Sequence, residues 1–267
     1  MIGKSEIEWL TREFLLKVLS TKPMYHYTKF DIGINKIIIN NTLQFSDPTV
    51  FNDPFDCNEK LLKIDIEGVN LDETISKISS ELNIPKNLIE NLKRLLKEPN
   101  NITEILKNEK QKYKLACFSE VNDETLMWSH YADKHSGVCI GFDFPHQYEE
   151  KFILCPANYI ECLQPVDGEA DKDRVILYWL ATKSKRWDYE REIRAITHSK
   201  TQEKYELITF NPQNIKEIIF GCNVSPNKIQ EAIKEIQRSK VNLKGVVFKR
   251  MYIDDSSFLL KEEIIHP

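Results

Sequence analysis

The segment KSKRWDYEREIR, residues 183–194, holds the densest group of side chains that could carry out acid–base chemistry. Alternation in its second half predicts a β-strand on which Glu190, Glu192 and Arg194 share one face. Three charges are costly to bury without partners, so this face is either wet or lines a cleft with charged neighbours. Two carboxylates one pleat apart raise each other's proton affinity, and either could orient a hydroxyl or stabilise a cationic transition state. A solvent-exposed Glu–Arg ladder is the alternative interpretation.

The same segment opens with a basic run formed by Lys183, Lys185 and Arg186. Such a run is often only the solvated end of a helix. Together with Arg194, these side chains could instead meet a pyrophosphate or a nucleic-acid phosphate, because Lys and Arg are the usual partners of phosphate oxygens. Arg194 is therefore a candidate binding residue.

His26, Tyr27 and Thr28 end a predicted strand, MYHYTKF, directly before a predicted helix. The tip of a strand is a common position for ligand-contacting groups. The imidazole of His26 could donate a hydrogen bond to a ligand hydroxyl, with a neighbouring hydroxyl behind it. The alternative is a packed histidine whose ring nitrogen is satisfied within the protein.

The segment MWSHYADKH lies in a predicted short helix over residues 122–137, with an asparagine as N-cap and a glycine at its end. His130 and His135 are five residues apart, so they lie on different faces and do not form a helical metal pair. No metal site is expected here. Trp128, His130 and Tyr131 could form an aromatic surface with polar tips that stacks on a planar ring. Core packing with exposed polar residues is the alternative.

The loop FNDPFD combines turn-forming and aromatic residues. A residue before proline is pushed towards extended conformations, and Asx side chains cap nearby amides. Asn52, Asp53 and Asp56 are therefore expected to shape a rigid turn that borders a cleft. Phe51 and Phe55 are expected to pin the loop to the core from either side. Contact of Asp53 or Asp56 with a ligand is the secondary interpretation.

Composition describes a globular chain of 267 residues, 41% hydrophobic, with a net charge of −4. This mild acidity argues against a protein whose whole surface binds nucleic acid, but it does not exclude a local basic cleft. The N-terminus mixes charges into its apolar run, which favours neither a signal peptide nor a membrane span. Six scattered cysteines without C-x-x-C spacing predict reduced thiols and a cytoplasmic protein. Dinucleotide, P-loop, serine-hydrolase and zinc-protease motifs do not occur in the sequence.

Short strands and helices alternate irregularly along the chain, which predicts an α+β domain over residues 1–267. Residues 5–20 have amphipathic helical spacing. Residues 60–113 are rich in Leu, Ile, Lys, Glu and Asn and nearly free of aromatic residues. Their period of 3.6 predicts an inserted helical lobe, which either packs on the core or binds a partner. Asp31 is the predicted N-cap of the helix DIGINKIIINN, and DRVILYWLATKSKRW is a further predicted helix. TLQFS and FILCPANYI are each predicted to form one strand. The last predicted element is a strand, GVVFKRMYID.

Four motifs, YHYT, FNDPFD, MWSHYADKHSG and W-x-Y-E-x-E-x-R, together resemble a large bacterial family of uncharacterised proteins, a domain of unknown function. Some of its members occur in phage-defence settings. The resemblance covers most of the chain except residues 60–113. It implies no activity.

The order of a strand-end histidine, a middle aromatic segment and a glutamate-bearing strand is also similar to the ADP-ribosyltransferase superfamily. That resemblance implies a split, mostly antiparallel β-sheet with NAD as a substrate in its cleft. It implies catalysis by Glu190 or Glu192, although the Glu-x-Glu of the superfamily lies in a loop and here falls within a strand pattern. The middle aromatic residue would be Tyr131, with Trp128 or His130 as rivals. The residues implied to hold NAD are His26, Tyr27, Thr28, Trp128, His130, Tyr131 and Arg194.

Three functions remain open from the sequence. The first is an NAD-consuming ADP-ribosyltransferase that acts on a nucleic acid or a protein, as a toxin or a defence effector. The second is a non-enzymatic sensor or interaction module of a defence system. The third is a metal-dependent nuclease that uses a lysine together with Asp53, Asp56, Glu190 and Glu192, because clustered carboxylates are what such sites need. A membrane partner is not expected.

Overall fold

A computed structural model describes residues 23–65, 104, 107–144, 151–163, 165–167, 172–199, 201 and 203–266. It confirms the predicted α+β class, with a mostly antiparallel sheet and several helices. The predicted helix over residues 5–20 and most of the predicted lobe over residues 60–113 lie outside the described residues. None of the helices in the described part of the chain has the length and apolarity needed to cross a membrane.

Fourteen strands are found among the described residues. They are β1 (Met24–Thr28), β2 (Thr42–Ser46), β3 (Ile64–Asp65), β4 (Tyr113–Ser119), β5 (Val138–Phe142), β6 (Ile153–Pro156), β7 (Asn158–Ile160), β8 (Val166–Asp167), β9 (Thr182–Ser184), β10 (Glu192–His198), β11 (Tyr205–Thr209), β12 (Ile215–Phe220), β13 (Val247–Ile253) and β14 (Leu260–Ile265).

Helical elements connect these strands. The α-helices are α1 (Thr125–Tyr131), α2 (Lys172–Ala181) and α3 (Pro226–Arg238). A π-helical segment spans Ile32–Ile39, and 3₁₀ segments span Pro48–Val50, Lys185–Glu190 and Pro212–Asn214.

Ten strands form one sheet with the order β11-β2-β4-β1-β5-β12-β13-β14, and β10 pairs with both β4 and β6. Within this sheet β12 and β13 are parallel and the other pairs are antiparallel. Two parallel two-stranded ladders, β3-β8 and β7-β9, stand apart from it. The strand β14 follows the last predicted strand and was not predicted, because the charges of LKEEII hide the alternation expected of a strand.

The large sheet splits along one edge of β4, whose other edge pairs with β10 at seven positions. On the splitting edge, β2 pairs with β4 only through Ser46 and Leu115. The strand β1 pairs with β4 only through Tyr25 and Ser119. Within these described strands, residues 116–118 pair with neither β1 nor β2. The two parts of the sheet therefore diverge and leave an opening between β1, β2 and β4.

The helix α1 is shorter than predicted at both ends. Glu124 is its N-cap, and its Oε1 accepts the Leu126 N–H at 3.1 Å. The predicted cap, Asn122, serves another purpose: its carbonyl accepts the Trp128 Nε1–H at 2.7 Å. That bond satisfies the indole of a fully buried side chain, which explains why the chain is fixed there before the helix starts.

The end of α1 is set by a left-handed turn. The helix stops at Tyr131, and residues 133–135 all have positive φ values of 48°, 53° and 68°. Non-glycine residues adopt this conformation at a cost, so the turn must be held by other bonds. The His135 N–H donates to the Trp128 carbonyl at 3.2 Å, and the Gly137 N–H donates to the Ala132 carbonyl at 2.7 Å. The chain thus reverses before Gly137 and enters β5.

The segment after β1 is helical as predicted, but with π geometry over Ile32–Ile39. Asp31, the predicted N-cap, has helical dihedral angles and makes no side-chain capping bond. At the other end Asn41 has a φ of 53°, the left-handed conformation expected for an asparagine that ends a helix. This turn directs the chain into β2.

Two other segments divide differently from the prediction. FILCPANYI forms two strands, β6 and β7, instead of one. The predicted helix DRVILYWLATKSKRW ends at Ala181 and continues as β9 and the 3₁₀ segment Lys185–Glu190. Lys110, within the predicted lobe, forms an ion pair of 2.6 Å with Glu59, the residue that directly precedes the lobe.

The close approach at Gly137 gives a test of this packing. A Cβ atom there would lie 2.3 Å from the Thr28 carbonyl oxygen and 2.8 Å from backbone atoms of Ala132. We expect Gly137→Ala to lower the free energy of unfolding by about 2 kcal/mol or more, because backbone cannot move aside as a side chain can. Gly141→Ala is the matched control in β5, since its nearest neighbour is a Tyr25 ring atom at 3.1 Å. Urea denaturation measures both, and equal losses would contradict the prediction.

Candidate functional site

A cavity of about 620 Å³ occupies the opening between β1, β2 and β4. Strand residues, the FNDPFD loop, α1 and the start of β10 all contribute to its wall. Its polar and charged lining residues are Tyr25, His26, Tyr27, Thr28, Lys36, Thr42, Gln44, Ser46, Asn52, Asp56, Cys117, Tyr131, Lys183, Glu190 and Glu192. The structure thus brings residues from the three separated histidine, aromatic and glutamate motifs to one cavity.

Arg194 lies beneath the cavity, is fully buried and does not line it. All five of its N–H groups are used. The Nε and Nη2 atoms donate to Glu192 at 3.0 and 3.1 Å, and a bidentate pair to Asp56 measures 2.9 and 2.6 Å. The Nη1 atom also donates to the Leu180 carbonyl at 2.6 Å. Arg194 therefore joins β10, the FNDPFD loop and the end of α2, and has no donor left for a ligand in this arrangement.

Lys183 is the second buried cation of the site. Its ammonium contacts Glu190 closely, donates to Glu192 at 2.9 Å and lies 3.9 Å from Asp56. Burial by itself disfavours the charged form, but Glu192, Glu190 and Asp56 outweigh it and raise the pKa of Lys183. Lys183 stays charged and is neutralised by carboxylates, so it is poorly suited to the phosphate contact considered from the sequence.

Three carboxylates and two cations make up this buried cluster, which leaves one negative charge when all five groups are ionised. The pKa values of the two glutamates are shifted in opposite directions. Burial opposes ionisation of Glu192, but Arg194 and Lys183 outweigh it and hold its pKa below the ordinary value. Burial raises the pKa of Glu190 above the ordinary value, and the attraction of Lys183 does not cancel that effect. Of the two glutamates, Glu190 is therefore the one that takes up a proton more readily.

The backbone explains why Glu190 differs from Glu192. β10 begins at Glu192, and Glu190 is the last residue of the 3₁₀ segment Lys185–Glu190. Arg191 between them has a φ of 43°, which turns the chain into the strand. The Ser119 hydroxyl donates to the Glu190 carbonyl at 2.7 Å and holds this turn against β4. The two glutamates share one lysine, but they are not neighbours on a single strand face as the alternation predicted.

Tyr131 connects α1 to this turn. Its hydroxyl donates to Glu190 Oε1 at 2.7 Å and accepts a hydrogen bond from the Asn52 amide at 3.3 Å. Its two rivals for the middle aromatic position lie elsewhere. Trp128 is fully buried in the core, and His130 is exposed outside the cavity lining.

His26 spans the opening in the sheet. Its Nδ1 lies 2.8 Å from the Cys117 carbonyl oxygen, on the edge of β4 that β1 and β2 leave unpaired. A carbonyl oxygen can only accept, so Nδ1 carries the hydrogen. Burial lowers the pKa of His26, which favours the neutral ring. Nε2 is then an acceptor, so His26 would accept from a ligand hydroxyl instead of donating to it.

The two neighbours of His26 are largely committed to the protein. The Tyr27 hydroxyl donates to the Val121 carbonyl at 2.9 Å, and its ring meets Trp128 edge to face. Thr28 is buried, with its carbonyl packed against Gly137. Both residues border the cavity, but the hydroxyl of Tyr27 is not free to support His26.

The FNDPFD loop is the rigid turn that was expected, with one difference. Asp53 Oδ1 accepts the Phe55 N–H at 2.9 Å, and Asp56 holds Arg194. Phe51 packs against the cluster around Trp179, but Phe55 is 65% exposed. The expectation that Phe55 pins the loop was wrong, because the Asp56 ion pair already fixes that side of the turn.

Some members of the site were not recognised from the sequence. Tyr159 accepts the Glu192 N–H at 2.7 Å and so fixes the start of β10, and Lys36 and Gln44 line the cavity. Their segments contain no motif. Lys183 was noticed, but only the fold shows that its charge is directed at the two glutamates.

The carboxylates of the cluster are occupied by cations of the protein itself. Among the described residues, no three His, Cys, Asp or Glu side chains are grouped so that they could hold a metal ion. Asp53 does not line the cavity, and Asp56 and Glu192 already neutralise Lys183 and Arg194. A divalent ion would have to compete with two buried cations for the same oxygens.

Comparison with known proteins adds one finding. A family model described as "Protein of unknown function (DUF2971)" matches residues 127–195. The matched range runs from α1 into β10 and includes Tyr131, Lys183, Glu190 and Glu192. It supports the likeness to an uncharacterised domain family over this part of the chain, and its description assigns no activity. No curated protein and no solved structure matches the chain.

The ion pair between Asp56 and Arg194 predicts a large loss of stability when its charge is removed. We expect Asp56→Asn to lower the free energy of unfolding by about 3 kcal/mol, because Arg194 would remain buried with too little negative charge. Asp53→Asn is the matched control, since Asp53 is equally buried and an amide oxygen can still accept the Phe55 N–H. Denaturant unfolding measures both variants. Comparable losses of unfolding free energy in the two variants would refute the role given to the ion pair.

The opposite pKa shifts of the two glutamates predict opposite pH dependences. The pKa of Glu192 is lowered on folding, so the stability it contributes is present above its ordinary value of 4.5 and is lost as the pH falls. The pKa of Glu190 is raised, so the folded protein loses stability as the pH rises above 4.5 towards the folded value. As the pH rises, the unfolding free energy of Glu190→Gln should therefore increase relative to that of the wild type, because the variant lacks this loss.

Glu192→Gln should have a lower unfolding free energy than the wild type, and this difference should become smaller as the pH falls. Equilibrium unfolding as a function of pH measures both trends, because the Glu192 trend lies below pH 4.5 and the Glu190 trend lies above it. The same trend in both variants would show that the two carboxylates are equivalent.

Proposed function

We propose that this chain binds NAD in the cavity between β1 and β4 and cleaves the bond between nicotinamide and ribose, transferring ADP-ribose to an acceptor. The observation that carries the proposal is that His26, Tyr131 and Glu190, from three separate motifs, line one cavity. A volume of about 620 Å³ is within the usual range of small-molecule and cofactor sites.

The charge of the cluster suits the reaction. When the C–N bond breaks, its electron pair leaves with nicotinamide and the ribose becomes a cation of oxocarbenium type. The buried cluster carries one excess negative charge, and Glu190 is its member without a guanidinium partner. Fixed negative charge in a site with little water lowers the energy of such a transition state.

Glu190 has a second role in the transfer step. An O–H or N–H of the acceptor attacks the anomeric carbon of the ribose, and its proton goes to a base. A carboxyl whose pKa is raised by burial can take up and release a proton nearer neutral pH than an ordinary glutamate. Tyr131 and Lys183 hold the two oxygens of Glu190, so its orientation is fixed before the ligand arrives.

Glu192 is a positioning residue in this proposal. Its oxygens are shared between Arg194 and Lys183, and its lowered pKa keeps it ionised. It holds Lys183 against Glu190 and does not transfer a proton.

The remaining lining residues suit the rest of the dinucleotide. The Nε2 atom of His26 is an acceptor for a ribose hydroxyl. Lys36 is exposed at the cavity wall, and no ion pair links it to an acid within the described part of the chain. Lys36 and Gln44 are therefore better placed for the pyrophosphate than Lys183, which is already neutralised. The site thus offers negative charge at Glu190 and positive charge at Lys36.

We expect Glu190→Gln to reduce the release of nicotinamide from NAD by roughly 100-fold or more, the usual effect of losing a general acid–base group. Binding of NAD should remain, because the amide keeps the size of the side chain and an acceptor for Tyr131. Chromatography of the products measures turnover, and calorimetry measures NAD binding.

The control is Glu231→Gln on the exposed face of α3, away from the cavity lining, which should leave both quantities unchanged. Absence of NAD binding by the wild-type chain would refute the proposal. Binding without turnover in the wild type would instead favour a sensor that reads NAD.

A further inference from the structure

A continuous group of aromatic rings leads from the cavity to the surface. We call Tyr131, His130, Trp187 and Tyr189 the aromatic row. Neighbouring ring centroids are 6.1 Å apart for His130 and Tyr131, 6.4 Å for His130 and Trp187, and 6.0 Å for Trp187 and Tyr189. The row starts at the ring whose hydroxyl holds Glu190, so it begins at the proposed reaction centre.

The faces of these rings are partly open. His130 is exposed, and Trp187 and Tyr189 are half-buried. The interplanar angles are 63°, 65° and 40°, so neighbouring rings meet at edges or at a tilt and do not cover each other's faces. Rings with an open face can accept another planar ring in a stacked arrangement.

One ring of the row is fixed from below. The Lys183 ammonium lies 5.2 Å from the centroid of the Trp187 ring, in a cation–π contact. The same ammonium holds Glu190 and Glu192. The orientation of Trp187 is therefore tied to the buried charge cluster, and a partner on its outer face would be positioned relative to Glu190.

Positive charges alternate with the aromatic residues in the same segment. Lys185, Arg186 and Arg191 are all exposed, against one exposed acid, Asp188. Lys185 forms an ion pair with Glu161 at 3.9 Å, and both side chains are largely in water, so this pair is weak. The three cations are available to a polyanion although the chain as a whole is acidic.

We propose that the aromatic row is the acceptor site and that the acceptor is a single-stranded nucleic acid. Its bases would stack on His130, Trp187 and Tyr189, and its phosphates would meet Lys185, Arg186 and Arg191. Aromatic faces interleaved with cations are the usual means of binding single strands, because every base has a planar face and every linkage a negative charge. In a duplex the base faces are already stacked and cannot reach the row.

The inference deepens the function proposed above and rests on it for the chemistry alone. An N–H or O–H of the stacked nucleotide attacks the anomeric carbon of the bound ribose. The bond to nicotinamide breaks with its electron pair, and the proton of the nucleotide passes to Glu190. The row is adjacent to Glu190 through Tyr131, which is the geometry that this transfer needs.

Binding is tested without NAD, so that the surface is examined independently of catalysis. Fluorescence anisotropy with labelled single-stranded DNA, single-stranded RNA and duplex DNA of about 12 nucleotides suits a site of this size. We expect single strands to bind more tightly than the duplex, and the affinity to fall between about 50 and 200 mM salt. The DNA and RNA probes show which kind of strand is preferred.

Variants separate stacking from charge. Trp187→Ala should raise the Kd roughly tenfold, as expected for the loss of one stacked base, and Trp187→Phe should restore most of the affinity. Arg186→Glu, a change at an exposed position, should weaken binding and reduce its salt dependence. Phe258→Ala is the matched control, because Phe258 is a fully exposed aromatic residue between β13 and β14 and outside the row.

The possible outcomes distinguish the two proposals. A chain that releases nicotinamide from NAD but binds no single strand, or binds duplex equally well, overturns the acceptor site and leaves the enzymatic proposal standing. Transfer of labelled ADP-ribose to protein alone also overturns it. Single-strand binding that depends on Trp187 and Arg186, in a chain without NAD turnover, supports the row as a nucleic-acid site and refutes the enzyme.

Discussion

The burial of Arg194 is the constraint on which the rest of the site depends. A guanidinium without access to water needs a partner for each of its five N–H groups, because an unpaired buried donor costs several kcal/mol when the group is charged. Arg194 finds them in Asp56, Glu192 and the Leu180 carbonyl. Those three groups come from the FNDPFD loop, β10 and the end of α2, so satisfying one side chain fixes the mutual position of three elements.

This arrangement gives the two glutamates different partners and opposite pKa shifts. Glu192 is taken up by Arg194 and Lys183 and stays ionised. Glu190 is left with Lys183 and Tyr131, at the wall of the cavity, with a raised pKa. The cluster has more carboxylates than cations, and Glu190 is the one carboxylate of the three without a guanidinium partner. The ion network thus fixes Glu192 and leaves Glu190 as the more readily protonated of the two glutamates.

The cavity exists because β4 is incompletely paired on one of its edges. β4 carries a complete ladder to β10 on one edge, but on the other edge it meets β1 and β2 at one position each. The His26 ring takes the Cys117 carbonyl that a neighbouring strand would otherwise use. This bond satisfies the Cys117 carbonyl on the unpaired edge of β4.

The sequence by itself determined the fold class, most of the strands and the motifs that meet at the cavity. Alternation and turn residues are local signals, so MYHYT, TLQFS and EIRAITH are recognisable before any contact is known. The FNDPFD turn was predictable for the same reason. The strand β14 was not, because its charged residues hide the period.

Tertiary structure alone decided what each site residue does. Local periodicity placed Glu190 on the strand with Glu192, but the left-handed Arg191 and the Ser119 bond hold it in a separate turn. Arg194 was predicted to bind a ligand and is instead an anchor beneath the cavity. The physical reason is that the role of a charged residue depends on the partners around it, and one partner of Arg194, Asp56, lies 138 residues away in the chain.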